Sequence, residues 1–299
     1  MPILEAKGLV KIYGRRKVVK GVDMHVNAAE IVGLLGPNGA GKTTCFNMTC
    51  GLIEPNKGRV FVNDNDVTNW PMYRRAREGG VGYLAQDSSV FRTLSVEQNL
   101  LGMMELLGMG RKQRNDRCQQ LLERFKITHI RKSKAGRLSG GERRRLEIAR
   151  CLVSDPKIIL LDEPFNGIDP VTVQGIQALI CELRDQGISI LITDHKARAI
   201  LRISDRVYVI SEGSVLCHGS PDEVRAHEEV RRKYLGDDDH DTPRSNPPPP
   251  AASAPEPAAP VARHPEPAAS SVPAPHLPTT SAPRPRAATT VTPMRRSGE

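Results

Sequence analysis

The sequence predicts an α/β protein with a mixed β core, a helical subdomain, an antiparallel β subdomain and a disordered C-terminal tail. Three observations lead there. Short runs rich in Val, Ile and Leu fall at residues 30–35, 157–161, 188–193 and 206–210, each followed by turn residues and then a helical pattern. Between Gln86 and Ser139 the pattern is helical only. Near Asp237 the composition changes abruptly.

The apolar runs are continuous rather than alternating, which suits parallel strands covered on both faces. The first 30 residues and the segment 58–62 read instead as antiparallel strands beside that core. Within the helical stretch, 96–107 and 116–125 are the clearest helices, so a helical subdomain is expected over about 90–155. No internal repeat is present. The folded domain is expected to span 1–236. The remainder, 237–299, holds 16 of the chain's 24 prolines and no Trp, Tyr or Phe. Such a Pro/Ala-rich segment cannot bury enough apolar surface to offset its ordering entropy, and it reads as disordered or partly polyproline-II.

The net charge of +9 suits an anionic partner: nucleotide, nucleic acid or the acidic face of a membrane. The basic run 111–117 reads as a solvated surface. Six cysteines without a C-x-x-C pair argue against zinc sites and a disulfide scaffold, and suit idle thiols in a reducing cytoplasm. No apolar stretch approaches the roughly 18 residues of a membrane span, and the start, Met-Pro-Ile-Leu-Glu, lacks the pattern of a signal peptide. A cytoplasmic protein that meets membranes only through partners is expected.

Directly after the first core run come Gly36, Pro37, Asn38, Gly39, Ala40, Gly41, Lys42, Thr43 and Thr44, matching G-x-x-x-x-G-K-[ST] between a strand and a helix. Glycines let backbone N–H groups curl around phosphate oxygens, and the helix N-terminus adds its dipole. Lys42 is expected to reach the β- and γ-phosphates of ATP, and the Thr43 hydroxyl to ligate Mg²⁺. Some 120 residues downstream, an apolar strand ends in Asp162 and Glu163. Asp162 is placed to hold Mg²⁺ through water. Glu163, read as lying on the opposite face of the same strand, can act as general base toward water. Leu138, Ser139, Gly140, Gly141 and Glu142 open a helix to about Val153. Ser139 and Glu142 form a capping box, and the two glycines leave backbone N–H groups free for a second phosphate surface.

Taken in order, these motifs resemble the ATP-binding-cassette (ABC) ATPases, a branch of the P-loop NTPases, over residues 3–235. The family's Q-loop glutamine, D-loop and switch histidine match Gln86, residues 167–169 and His195. Tyr13 lies where the family places a ring against adenine. The resemblance implies an ATP-hydrolysing transporter subunit that works as a homodimer. ATP would lie between the phosphate loop of one copy and Ser139, Gly140 and Gly141 of the other. It also implies catalytic roles for Glu163, His195 and Gln86, with Thr43, Gln86 and Asp162 toward Mg²⁺. Asp169 followed by Pro170 additionally makes an ordinary helix cap.

The wording of residues 138–150, 161–170, 191–195 and 234–237 is similar to the ATPases of lipopolysaccharide-export transporters. In those, the segment matching 88–95 receives two transmembrane subunits, which nominates Phe91 and Arg92 as transmission residues. Ala85 and Asn166 depart from the family pattern, which has Pro before the Q-loop glutamine and a small residue after Pro-Phe. The alternative is the ATPase of a branched-chain amino-acid importer, which shares the fold and catalytic motifs. A nucleic-acid-directed ABC ATPase would carry coiled coils, zinc modules or tandem cassettes. Here 53 positions separate Gln86 from Ser139 and one cassette is present, so no nucleic-acid partner is expected. A non-catalytic module would not need Glu163 and His195.

Overall fold

The computed structural model describes residues 1–232. Strands β1 (Pro2–Tyr13) and β2 (Arg16–Asn27) form a hairpin, and β3 (Ile31–Leu35) follows it into the core. Helix α1 (Lys42–Cys50) leads to β4 (Lys57–Val62), the two-residue β5 (Asn65–Asp66), α2 (Met72–Arg77) and β6 (Val81–Leu84). Three helices come next: α3 (Val96–Leu106), α4 (Arg111–Arg124) and α5 (Gly140–Cys151). The chain then alternates through β7 (Ile158–Asp162), α6 (Pro170–Asp185), β8 (Ser189–Thr193) and α7 (Ala197–Ile203). It continues with β9 (Arg206–Ser211), β10 (Ser214–Gly219) and α8 (Pro221–Ala226).

The strands make two sheets. One, in the order β2-β1-β4-β5, is antiparallel. The other runs β10-β9-β3-β8-β7-β6 and is parallel except for β10 at its edge. Period two along the central strands explains the unbroken apolar runs, because both faces are covered. Ile31 and Leu35 of β3, with Ile159 and Leu161 of β7, join a core shared with Leu146, Ile176 and Ile180 from the helices. Val32, Leu34, Ile158 and Leu160 face the other way, against Phe46 and Met48 of α1 and Val60 of β4. Each such side chain contributes about 1.5–3 kcal/mol by leaving water, so the strand ends that carry the functional loops are held rigidly.

The mixed core, the helical segment and the antiparallel sheet agree with expectation. Among the boundaries, α4 begins at Arg111, five residues earlier than the periodicity suggests, because its apolar positions Cys118, Leu121 and Leu122 all lie in the second half. The basic run therefore forms a helix face, on which Arg114 pairs with Glu105 and Arg117 with Asp155. Helix α5 stops at Cys151, just short of Val153. The six cysteines form no disulfide; burial pushes the Cys45 thiol up to about 12 and the Cys118 thiol to about 11. No helix among the described residues is long and apolar enough to cross a membrane. The expected tail and the 234–237 phrase lie outside the described residues.

Candidate nucleotide-hydrolysis site

At the end of β3 the backbone turns at Gly36 with φ 146°, where an added Cβ would sit 2.1 Å from the Ile210 carbonyl oxygen. No other residue fits so close to β9. The loop runs to Gly41, which opens α1 without any side-chain cap, so the first helical N–H groups have no side-chain acceptor. Lys42 is 7% exposed and its ammonium donates to the carbonyls of Gly36 (2.7 Å) and Pro37 (2.9 Å). Burial lowers its pKa, while the charge of Glu163 opposes that shift. Thr43 is exposed and Thr44 half-buried. A cleft of about 520 Å³ lies over the loop, between Pro37, Asn38, Gly39 and Ala40 on one side and Arg16, Lys17, Val18 and Lys20 on the other. Tyr13 pairs with Arg16 across the hairpin, and its ring is 47% exposed.

Strand β7 ends at Asp162, and here one expectation is corrected. Glu163 does not occupy the opposite face of that strand; it lies beyond it, with φ 48° and its N–H bound to the Thr193 carbonyl at 2.8 Å. The left-handed turn, unusual for a glutamate, aims the carboxylate into a nest of donors. Gln86 Nε2 donates to Oε2 at 2.9 Å, Asn166 Nδ2 donates to the same oxygen at 3.2 Å, and His195 Nε2 lies 2.6 Å from Oε1. Asp162, 4% exposed, is pushed up to about 6 by burial and by the neighbouring carboxylates of Glu163 and Asp194.

The loops that carry these groups are tied together. Asp194, 2% exposed, accepts from the N–H of Phe165 (2.8 Å) and of Lys196 (2.9 Å), and the Lys196 ammonium donates to the Ile168 carbonyl at 3.0 Å. Arg144 of α5 donates to the Glu163 carbonyl (3.3 Å) and pairs with Glu147 at 3.0 Å in a buried ion pair. Glu147 in turn accepts from the Ser88 hydroxyl at 2.6 Å, joining the segment after Gln86 to α5.

Ser139 caps α5, its Oγ accepting from the Glu142 N–H at 3.3 Å while Glu142 reaches back to the Ser139 N–H at 2.9 Å. An added Cβ on Gly141 would lie 2.3 Å from the Thr172 methyl, and one on Gly140 would lie 3.4 Å from the Gly167 carbonyl. The start of α5 thus packs on residues 167–172 of its own chain. Asp169 caps α6 with Pro170 at its first turn.

Comparison with known proteins matches this arrangement to a family. The ABC transporter model matches residues 19–166, and a model of branched-chain amino acid ATP-binding cassette transporters matches residues 214–240. A probable ABC transporter ATP-binding protein of Azorhizobium caulinodans is 54% identical over 235 residues, covering 79% of this chain and 83% of the relative. The lipopolysaccharide export system ATP-binding protein LptB of Escherichia coli is 48% identical over 239 residues, covering 80% of this chain and 99% of LptB. The chain is an ABC transporter ATP-binding protein. Among solved structures, the ADP conformation of the ATP-binding cassette MJ1267 superposes with a TM-score of 0.71 at 30% identity, covering 79% of this chain and 99% of that one.

In this cassette the fold brings Gln86, Glu163 and His195 into contact and sets Asp162 beside them. It keeps Ser139, Gly140 and Gly141 against the D-loop side. Phe91 is 48% exposed, its ring under the Arg150 guanidinium at 5.1 Å, with its backbone gripped by the fully buried Asn99 at 2.8 and 3.1 Å. Arg92 is exposed, its carbonyl accepting from Gly136 at 2.9 Å. Sequence reasoning missed Arg144, Glu147, Asp194 and the contact made by Asn166. Of these only Asn166 carried a signal, as a departure from the family pattern.

Proposed function

We propose that this ABC ATPase powers lipopolysaccharide export from the cytoplasmic face of the inner membrane, as a homodimer attached to two transmembrane subunits. The observation that supports it is end-to-end similarity: 48% identity across 99% of LptB, the lipopolysaccharide export ATP-binding protein. The branched-chain importer reading draws on the model matched at 214–240, a short C-terminal segment, and is weaker.

In the proposed mechanism, ATP lies over the phosphate loop with adenine toward Tyr13 and the phosphates toward Lys42. Arrival of phosphate offers the buried Lys42 ammonium a full negative charge in place of two carbonyls, a stronger partner. Asp162, Thr43 and Gln86 would hold Mg²⁺. The donor set fits a hard cation, and the crowding of Asp162, Glu163 and Asp194 leaves a surplus of negative charge for it to neutralise. When bound, the ion supplies charge compensation at the phosphates. Glu163 accepts the proton of the attacking water and His195 donates toward the γ-phosphate. Ser139, Gly140 and Gly141 of the second copy close the site from the other side, using the exposed start of α5 as an anion-binding surface. Phe91 and Arg92 would carry the resulting movement to the membrane subunits, the link running through Ser88, Glu147 and Arg144 to the main chain of Glu163.

An affinity pull-down of the tagged chain from gently solubilised membranes tests the reading. Recovery of two related multi-span proteins with large periplasmic domains is expected. Recovery of importer permeases would transfer the chain to amino-acid uptake.

A further inference from the structure

The Glu163 carboxylate has three side-chain donors, and they differ in what else they are for. Gln86 and His195 reach it from other loops, 77 and 32 residues away in sequence. In the reading above both have duties elsewhere once nucleotide binds, Gln86 toward the metal and His195 toward the γ-phosphate. Asn166 has none. It sits three residues after Glu163, in a turn closed by its own N–H donating to the Glu163 carbonyl at 3.2 Å, and its Nδ2 lies 3.2 Å from Oε2. The backbone of Glu163 is left-handed within this turn, with φ 48°. Asn166 is therefore tied to Glu163 through their shared turn and not through a neighbouring loop.

We propose that Asn166 is a positioning residue for Glu163, the donor that keeps the base carboxylate aimed when Gln86 and His195 leave it. A carboxylate freed of two partners at once would otherwise rotate about its side-chain torsions, and a general base works only while held within hydrogen-bond reach of its water. The amide suits the task because it donates without carrying charge: a cation in its place would compete with Lys42 for the phosphates, and a carboxylate would repel Glu163. Asn166 itself is exposed, so it contributes no core volume, and its replacement leaves the packing of Phe165 and Ile168 intact. This inference rests on Glu163 being the base.

The test uses the purified full chain as wild type, Asn166→Ala, Asn166→Asp, Glu163→Gln and Glu163→Gln/Asn166→Ala. For Asn166→Ala the expected result is a fall in kcat of about tenfold, the worth of one hydrogen bond to a charged group. KM for ATP and the thermal midpoint should stay at their wild-type values. Asn166→Asp should fall further. The ATP-bound dimer of Asn166→Ala, followed by size-exclusion chromatography after removal of free nucleotide, should outlive that of wild type. In the Glu163→Gln background the alanine should change neither the residual rate nor the dimer lifetime, since the group it positions is gone. An unchanged kcat in Asn166→Ala, or an equal fall in both backgrounds, overturns the proposal while leaving the base assignment standing. Full activity in Glu163→Gln alone would overturn the base assignment, and the proposal with it.

Discussion

His195 Nε2 lies 2.6 Å from Glu163 Oε1, so the proposed base and the proposed γ-phosphate contact are each other's partners. The carboxylate is buried while the imidazole is 55% exposed. In the proposed mechanism the γ-phosphate competes with Glu163 for this histidine.

Replacing His195 with alanine should therefore leave ATP binding nearly unchanged and slow hydrolysis by about 10²–10³, the usual cost of losing one transition-state donor. Steady-state phosphate release and equilibrium nucleotide binding, measured on the same preparation, check both halves. A variant that hydrolyses at the wild-type rate would remove His195 from the chemistry.

Lys42 is buried, and its ammonium donates to two backbone carbonyls, those of Gly36 and Pro37. Lys42→Ala should weaken ATP binding by about 2–5 kcal/mol, since a phosphate charge is then left without its partner in a desolvated pocket. A fluorescent-nucleotide titration reads this directly.

Much of the architecture was legible because its physical demands are local. Strands β3, β7 and β8 announced themselves through runs that are apolar on both faces, whereas β6 was hidden by its four-residue length and Gly82, and β10 by its half-exposed edge position. The phosphate loop was legible because backbone phosphate binding needs glycines at fixed spacing before a helix. The polar ties were not. Ser88 and Glu147 are 59 residues apart in sequence, and neither side chain signals that the other will meet it. The turn that takes Glu163 off its strand was equally silent, because a positive φ at glutamate is imposed by the surrounding loops and has no residue preference behind it.

In the proposed homodimer Ser139, Gly140 and Gly141 of one copy complete the site on the phosphate loop of the other. Ser139→Ala and Lys42→Ala should each be nearly inactive alone, yet a mixture should recover hydrolysis through heterodimers that contain one intact site. Rate measurements across mixing ratios check this, and normal activity in either single variant contradicts it.

Away from the site, Arg206 of β9 pairs with Glu30, in the turn between β2 and β3, and donates to the His25 carbonyl of β2. Arg206 Nε and Nη2 donate to the two Glu30 carboxylate oxygens at 2.8 and 3.0 Å. Burial pushes the Glu30 pKa up, but the bonds from Arg206 and from the Asn27 N–H outweigh it and hold the carboxyl below its ordinary value. A depressed acid stabilises the fold above its unfolded pKa and loses that stabilisation as pH falls through the folded one. Glu30→Gln should thus cost about 1.5–3 kcal/mol near neutral pH. The gap to wild type should close only at pH values below the ordinary carboxylate range, as followed by denaturant unfolding across pH.

Size-exclusion chromatography of Glu163→Gln with and without ATP tests for a nucleotide-closed dimer whose water is activated by Glu163. The expected result is a dimer that forms with ATP, persists because hydrolysis is lost, and is absent without nucleotide. A variant that stays monomeric at saturating ATP, or that still hydrolyses it at the wild-type rate, would contradict the claim.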